Sequence, residues 1–118
     1  MHNNENYILA EIAKILVGSL KINKEFLITY GDLARQLPFD INPRNLDHPL
    51  GRLSDLCKEN GMPLISSIVV NNDSYRPGAG YFKYYFPGSP EREWDDIFVE
   101  QLNKIKNYKG WESLLTLI

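Results

Sequence analysis

The sequence has one cysteine, Cys57, and two histidines, His2 and His48, in 118 residues. A single cysteine excludes an internal disulfide and a cysteine-built zinc site. Neither histidine has a companion at ligand spacing, so no metal and no cofactor is expected. No apolar run approaches the roughly 18–20 residues of a membrane span, and the polar start Met1-His2-Asn3-Asn4-Glu5-Asn6 lacks the early basic cluster of a secretory signal. The reading is a soluble, cytoplasmic protein with no membrane partner. An excess of one charge is also missing. Thirteen basic residues face 15 acidic ones, for a net charge of −2, and neither half of the chain is basic. Composition therefore does not argue for broad attraction to polyanions. There are no repeats and no low-complexity stretch.

What is present points to one packed domain over residues 1–118. Hydrophobic residues make up 43% and aromatics 12%, enough for a core and too much for a disordered chain. Residues 7–20 place Ile8, Leu9, Ile12, Ile15, Leu16 and Leu20 at steps of three and four, the mark of an amphipathic helix that ends within residues 21–25. Thr29 and Asp32 have capping-box spacing and open a second helix, which Pro38 stops. A third helix is expected to start with Asn45 or Asp47 as cap and Pro49 in its first turn. Leu46, Leu50, Leu53, Leu56 and Cys57 form its buried stripe, and Gly61 its left-handed end.

The period then changes. Residues 64–70 are rich in β-branched side chains and read as a strand; residues 81–86 read as a second strand after a loop. Ser89 as cap, Pro90 at the first position and the Glu91 and Glu93 carboxylates predict a tail helix with Trp94, Ile97, Phe98, Leu102 and Ile105 on one face. Residues 111–118 are apolar. They either close the core, the reading preferred here, or form a dimer seam, so the chain is expected as a monomer or a small homo-oligomer. Three helices followed by a strand pair give the order of an α+β winged helix-turn-helix, with a core over residues 7–86, a β-hairpin wing, and an added C-terminal helical extension over residues 89–118.

Four short pieces then occur in a telling order: Ile28-Thr29-Tyr30-Gly31-Asp32-Leu33-Ala34, Pro43-Arg44-Asn45-Leu46, Ser66-Ser67-Ile68-Val69-Val70 and Gly78-Ala79-Gly80-Tyr81. Together they resemble the winged-helix domain of the DNA alkyltransferases and their non-enzymatic alkyltransferase-like relatives, over roughly residues 28–82. The resemblance implies that Tyr30 presses on a DNA phosphate, that Arg44 fills the space left by a flipped nucleotide, and that the Gly78–Tyr81 loop edges a base pocket. It also implies a lost activity. The acceptor cysteine and its neighbouring histidine are replaced by Ser66 and Ser67, and a serine hydroxyl stays protonated without a base beside it.

The expected function is therefore non-enzymatic DNA binding through Tyr30, Arg44, His48, Arg52, Arg76, Gly78, Gly80 and Tyr81. Arg44, His48 and Arg52 lie four apart and share a face if helical turns continue through Pro49. Asp47, Asp55 and Glu59 in the same helix repel phosphates and motivate an alternative: a protein-interaction module, of the kind a phage or mobile element could turn against a host defence complex.

Overall fold

The computed structural model describes residues 4–22 and 25–118; His2, Asn23 and Lys24 lie outside the described residues. The first helix, α1 (Asn4–Ile22), turns Leu9, Ile12, Ala13, Leu16 and Val17 inward, as its three-four periodicity requires. After it come a two-residue strand, β1 (Ile28–Thr29), and helix α2 (Tyr30–Gln36). Thr29 caps α2, its hydroxyl accepting the Asp32 amide at 3.1 Å. A 3₁₀ turn, Pro43–Leu46, is capped by Asn42 and leads straight into α3 (Asp47–Glu59). The cap expected at Asn45 or Asp47 is thus one turn earlier, because the 3₁₀ turn already presents helical geometry to α3.

Gly61, at φ 72°, ends α3. Its amide donates to the Lys58 carbonyl while the Met62 amide reaches back to Cys57. This is a Schellman ending, and the left-handed position is where glycine carries no Cβ penalty.

Beyond Gly61 the chain departs from the winged helix expected from sequence: the structure is mainly helical and has no hairpin wing. Residues 64–70 are all buried. A wing strand exposes every second residue, and this segment has no outward face to offer. Residues Ile65–Ile68 coil into a 3₁₀ turn instead, leaving only β2 (Val69–Val70) extended. That strand pairs in parallel with β1, Ile28 opposite Val69 and Thr29 opposite Val70.

The second expected strand is also a helix, α4 (Ala79–Tyr85). Its bulky side chains satisfy the helical period better than the strand period. Phe82 is fully buried, Tyr81, Tyr85 and Phe86 are half-buried, and Lys83 and Tyr84 are exposed. Phe82 stacks on Trp94 with ring centroids 4.6 Å apart and planes within 4°. Val70 and Phe98 complete this second, smaller core.

Helix α5 (Trp94–Asn107) follows a 3₁₀ turn over Glu91–Glu93. Pro90 caps that turn, while the Ser89 hydroxyl donates to the Phe86 carbonyl at 2.7 Å rather than capping α5. Residues 111–118 contribute α6 (Glu112–Thr116), which returns to α1. Trp111 and Leu114 enter the main core there, and Lys21 bridges to Glu112 at 2.5 Å. Core closure is therefore what the apolar terminus does. Among the described residues, no helix is long and apolar enough to cross a membrane.

The replacement of a wing strand by α4 is directly testable. Backbone ¹³Cα shifts over Ala79–Tyr85 should lie on the helical side of random coil, and strand-like shifts there would refute the assignment. Phe82→Ala should lower stability by about 3–5 kcal/mol in urea denaturation, whereas Tyr84→Ala, at a side chain 65% exposed, should cost less than about 1 kcal/mol.

Candidate functional site

The helical form of α4 creates a cleft of about 460 Å³ between its first turns and the start of α3. Tyr30, Ser66, Gly78, Gly80 and Tyr81 line it, although 51 positions separate the first from the last in sequence. His48 and Arg52 line it from α3. Tyr84 and Tyr85 line it too, as do four residues not expected at a site from sequence: Asp47, Leu50, Gly51 and Asp55. A signal for three of the aromatics is present in the sequence. Tyr81, Tyr84 and Tyr85 have i, i+3, i+4 spacing, which puts them on one face only if the segment is helical.

The parts of the cleft are held by long-range hydrogen bonds. The Tyr30 hydroxyl accepts the Gly78 amide at 3.2 Å, tying the start of α2 to the start of α4. The Tyr81 hydroxyl meets the Ser67 hydroxyl at 2.5 Å. On the opposite wall the Tyr85 hydroxyl is 3.0 Å from Asp55 Oδ1 and 3.1 Å from the Gly51 carbonyl, and Tyr84 donates to Asp55 Oδ2 at 3.4 Å. Both oxygens of Asp55 are thereby fixed by phenols.

Burial sets the protonation of these groups. It raises the pKa of Tyr30, an effect eased by the Gly78 amide and reinforced by the Asp47 charge. Burial pushes Tyr81 up to about 12, against the opposing hydrogen bond of Ser67. Burial, followed by the hydrogen bond and charge of Asp55, holds Tyr85 well above the ordinary phenol value. These phenols are neutral near pH 7 and can donate as well as accept. Partial burial also raises Asp47.

Ser66 and Ser67 do not divide between core and solvent as strand neighbours would. Both are buried, and the 3₁₀ turn sends them to different partners. Ser54 donates to the Ser66 hydroxyl at 2.6 Å and accepts the Ser66 amide at 3.0 Å, while Ser67 meets Tyr81. Neither serine has a histidine or a carboxylate among its hydrogen-bond partners, so nothing there withdraws the hydroxyl proton. Cys57 is fully buried on α3, and burial pushes its thiol up to about 11 despite a backbone hydrogen bond from Ile65. Its thiolate is not accessible at neutral pH.

The remaining basic residues are distributed unevenly. Arg52 pairs with Glu5 at 2.5 Å, and His48 Nε2 lies 3.4 Å from the same carboxylate oxygen, so these two do share a face. Arg44 sits apart, exposed on the 3₁₀ turn before α3, and among the described residues no carboxylate pairs with it. Arg76 is turned away from the cleft. It bridges to Asp95 at 2.8 Å and Glu91 at 3.4 Å and lies over the Trp94 ring, 5.4 Å from its centroid. Its place in the fold is that of a clamp between the loop before α4 and the start of α5. Among the described residues, no group of three or more His, Cys, Asp and Glu side chains is placed to hold a metal ion.

No protein-family model matches this chain, and no curated protein or solved structure matches it either.

The raised thiol and phenol values make stability fall at high pH. The folded state keeps protons that the unfolded chain loses, so stability is full below the ordinary thiol value of 9.0 and declines as pH rises toward 11. Urea midpoints should fall steadily between those values, and Cys57→Ala should flatten the first part of the decline. A midpoint independent of pH across that window would contradict the burial assigned to these groups. At pH 8, a thiol reagent should modify native protein no faster than the protein unfolds.

Proposed function

We propose that the chain is a non-enzymatic nucleic-acid-binding protein of the alkyltransferase-like type, and that the cleft receives a base drawn out of its stack. One observation carries this reading. Tyr30, Ser66, Gly78, Gly80 and Tyr81 come from three of the four pieces on which the resemblance rests, and all five line one cleft. A binding site built from those pieces requires that they meet in this way, and the cleft meets that requirement.

The cleft suits such a ligand chemically. Its volume lies within the usual range for small-molecule pockets. Its tyrosine rings offer faces on which any base can stack, with about 1–3 kcal/mol typical for one such contact. The unpaired Arg44, at the approach to α3, is the cation best placed to meet a phosphate or fill a vacated stack position. Arg52 and His48 contribute only when Glu5 releases them. Arg76, engaged by two carboxylates, contributes through the fold. The few free cations and the carboxylates of Asp47 and Asp55 favour few phosphate contacts and hence modest salt dependence. They also favour a single strand or a locally opened duplex, because fewer phosphates must approach the acidic side of α3.

Fluorescence anisotropy with a labelled 15-nucleotide single strand tests this. Binding should be measurable at low salt, and Arg44→Ala should reduce the slope of log K against log salt by about 0.7, the loss of one phosphate contact on a single strand. Gly80→Trp is the second variant. A Cβ at this exposed position meets nothing within 4 Å, so the indole obstructs the cleft without disturbing the core. It should weaken binding at least fivefold and abolish the fluorescence change of a 2-aminopurine placed in the strand. Absence of binding at low salt to both single-stranded and duplex DNA would overturn the assignment.

A further inference from the structure

A second concavity, of about 600 Å³, lies between the end of α3, residues 62–64, the end of α4 and helix α5, and it meets the tyrosine-lined cleft at Tyr85. Its floor is apolar, built by Met62, Pro63, Leu64, Phe86 and Tyr108. Two features distinguish it from an ordinary surface furrow. The first is charge. In a chain with more acids than bases, its lining contains Lys58 and Lys104 and no carboxylate. Lys58 has no ion-pair partner among the described residues, and Lys104 only an exposed one, Glu100 at 3.6 Å, a contact worth little and readily exchanged.

The second feature is Gln101. It is 5% exposed, it lines the groove, and among the described residues its amide makes no hydrogen bond. Its polar atoms are open to the groove, hydrated there and free to pair with a ligand. The amide can donate and accept at once, which is the pairing a peptide main chain presents. Asn107, two turns further along α5, adds a second amide to the same wall. Leu64, between Pro63 and the Ile65–Ile68 turn, is itself extended, so a chain lying alongside it follows the groove.

We propose that this groove docks an extended acidic segment of a partner protein, with Gln101 pairing to its main chain, Lys58 and Lys104 to its carboxylates, and the apolar floor to its hydrophobic side chains. This surface adjoins the tyrosine-lined cleft at Tyr85, but the proposal does not rest on nucleic-acid binding. The amides of Gln101 and Asn107 favour a peptide main chain over a nucleic-acid strand, and the lysines favour an acidic peptide over a neutral or basic one.

The test is a ¹H–¹⁵N titration of the full chain with the capped peptide acetyl-Leu-Glu-Ile-Asp-Leu-Glu-amide, and with a counterpart in which lysine replaces each acid. The acidic peptide should shift the Gln101 side-chain amide together with the backbone signals of Leu64, Lys58 and Lys104, leaving Tyr30 and Gly80 unmoved; the basic peptide should not. The double variant Lys58→Ala with Lys104→Ala should weaken binding at least tenfold and remove its salt dependence. Gln101→Leu, which keeps the volume and removes the amide, should weaken it at least threefold while the urea midpoint stays level or rises. Equal shifts with both peptides, no shift at millimolar peptide, or unchanged binding in both variants would overturn the proposal. So would stronger shifts of the same signals with a single-stranded oligonucleotide, or shifts appearing on concentrating the protein alone, which would assign the groove to nucleic acid or to a second copy of this chain.

Discussion

Burial of the seven residues 64–70 is the constraint on which most of the structure depends. A segment without an outward face must be enclosed, and its polar groups must find partners inside. The Ile65–Ile68 turn meets that demand by directing Ser66 to Ser54 on α3 and Ser67 to Tyr81 on α4. The two valines that follow are left to pair with β1. One segment thus ties together α2, through the strand that leads into it, α3 and α4.

The cleft follows from the same arrangement. Its floor is the Ser66 end of the buried segment, and its walls are the elements tethered there. The Phe82–Trp94 stack sets the height of α4 above that floor, and the Arg76 clamp holds the preceding loop against α5. Burial then decides the chemistry on offer: phenols raised above their ordinary values are neutral hydrogen-bonding groups, and the Ser66 and Ser67 hydroxyls pair with those of Ser54 and Tyr81. The groove along α5 differs in kind: it is open, bordered by cations and furnished with amides, and it suits an extended chain.

Much of the helical frame was legible locally, because helix signals are written within a few residues of where they act. The stripes of α1 and α5, the Thr29 cap and the Gly61 ending each depend on side chains one or two turns apart. Three pieces of the cleft were legible as well, through the order of short motifs rather than through any spacing. The misreading fell at residues 64–86. A run of β-branched residues reads as a strand when its burial is unknown, and the aromatic run Tyr81, Phe82, Tyr84, Tyr85 and Phe86 has a composition typical of strands although its burial follows the helical period. Choosing the strand hid the shared face of Tyr81, Tyr84 and Tyr85, and with it one wall of the cleft.

The sequence alone therefore determined the elements whose signals are short in range, the lack of a disulfide, and the lack of a cysteine or histidine beside Ser66 in the chain. Tertiary structure decided what depends on partners distant in sequence. Asp95 and Glu91, 19 and 15 residues beyond Arg76, draw that arginine away from the cleft. Glu5, 47 residues before Arg52, occupies a second cation. Whether a basic side chain is free for a ligand depends on which carboxylate the fold brings within about 4 Å of it, and no local pattern carries that distance.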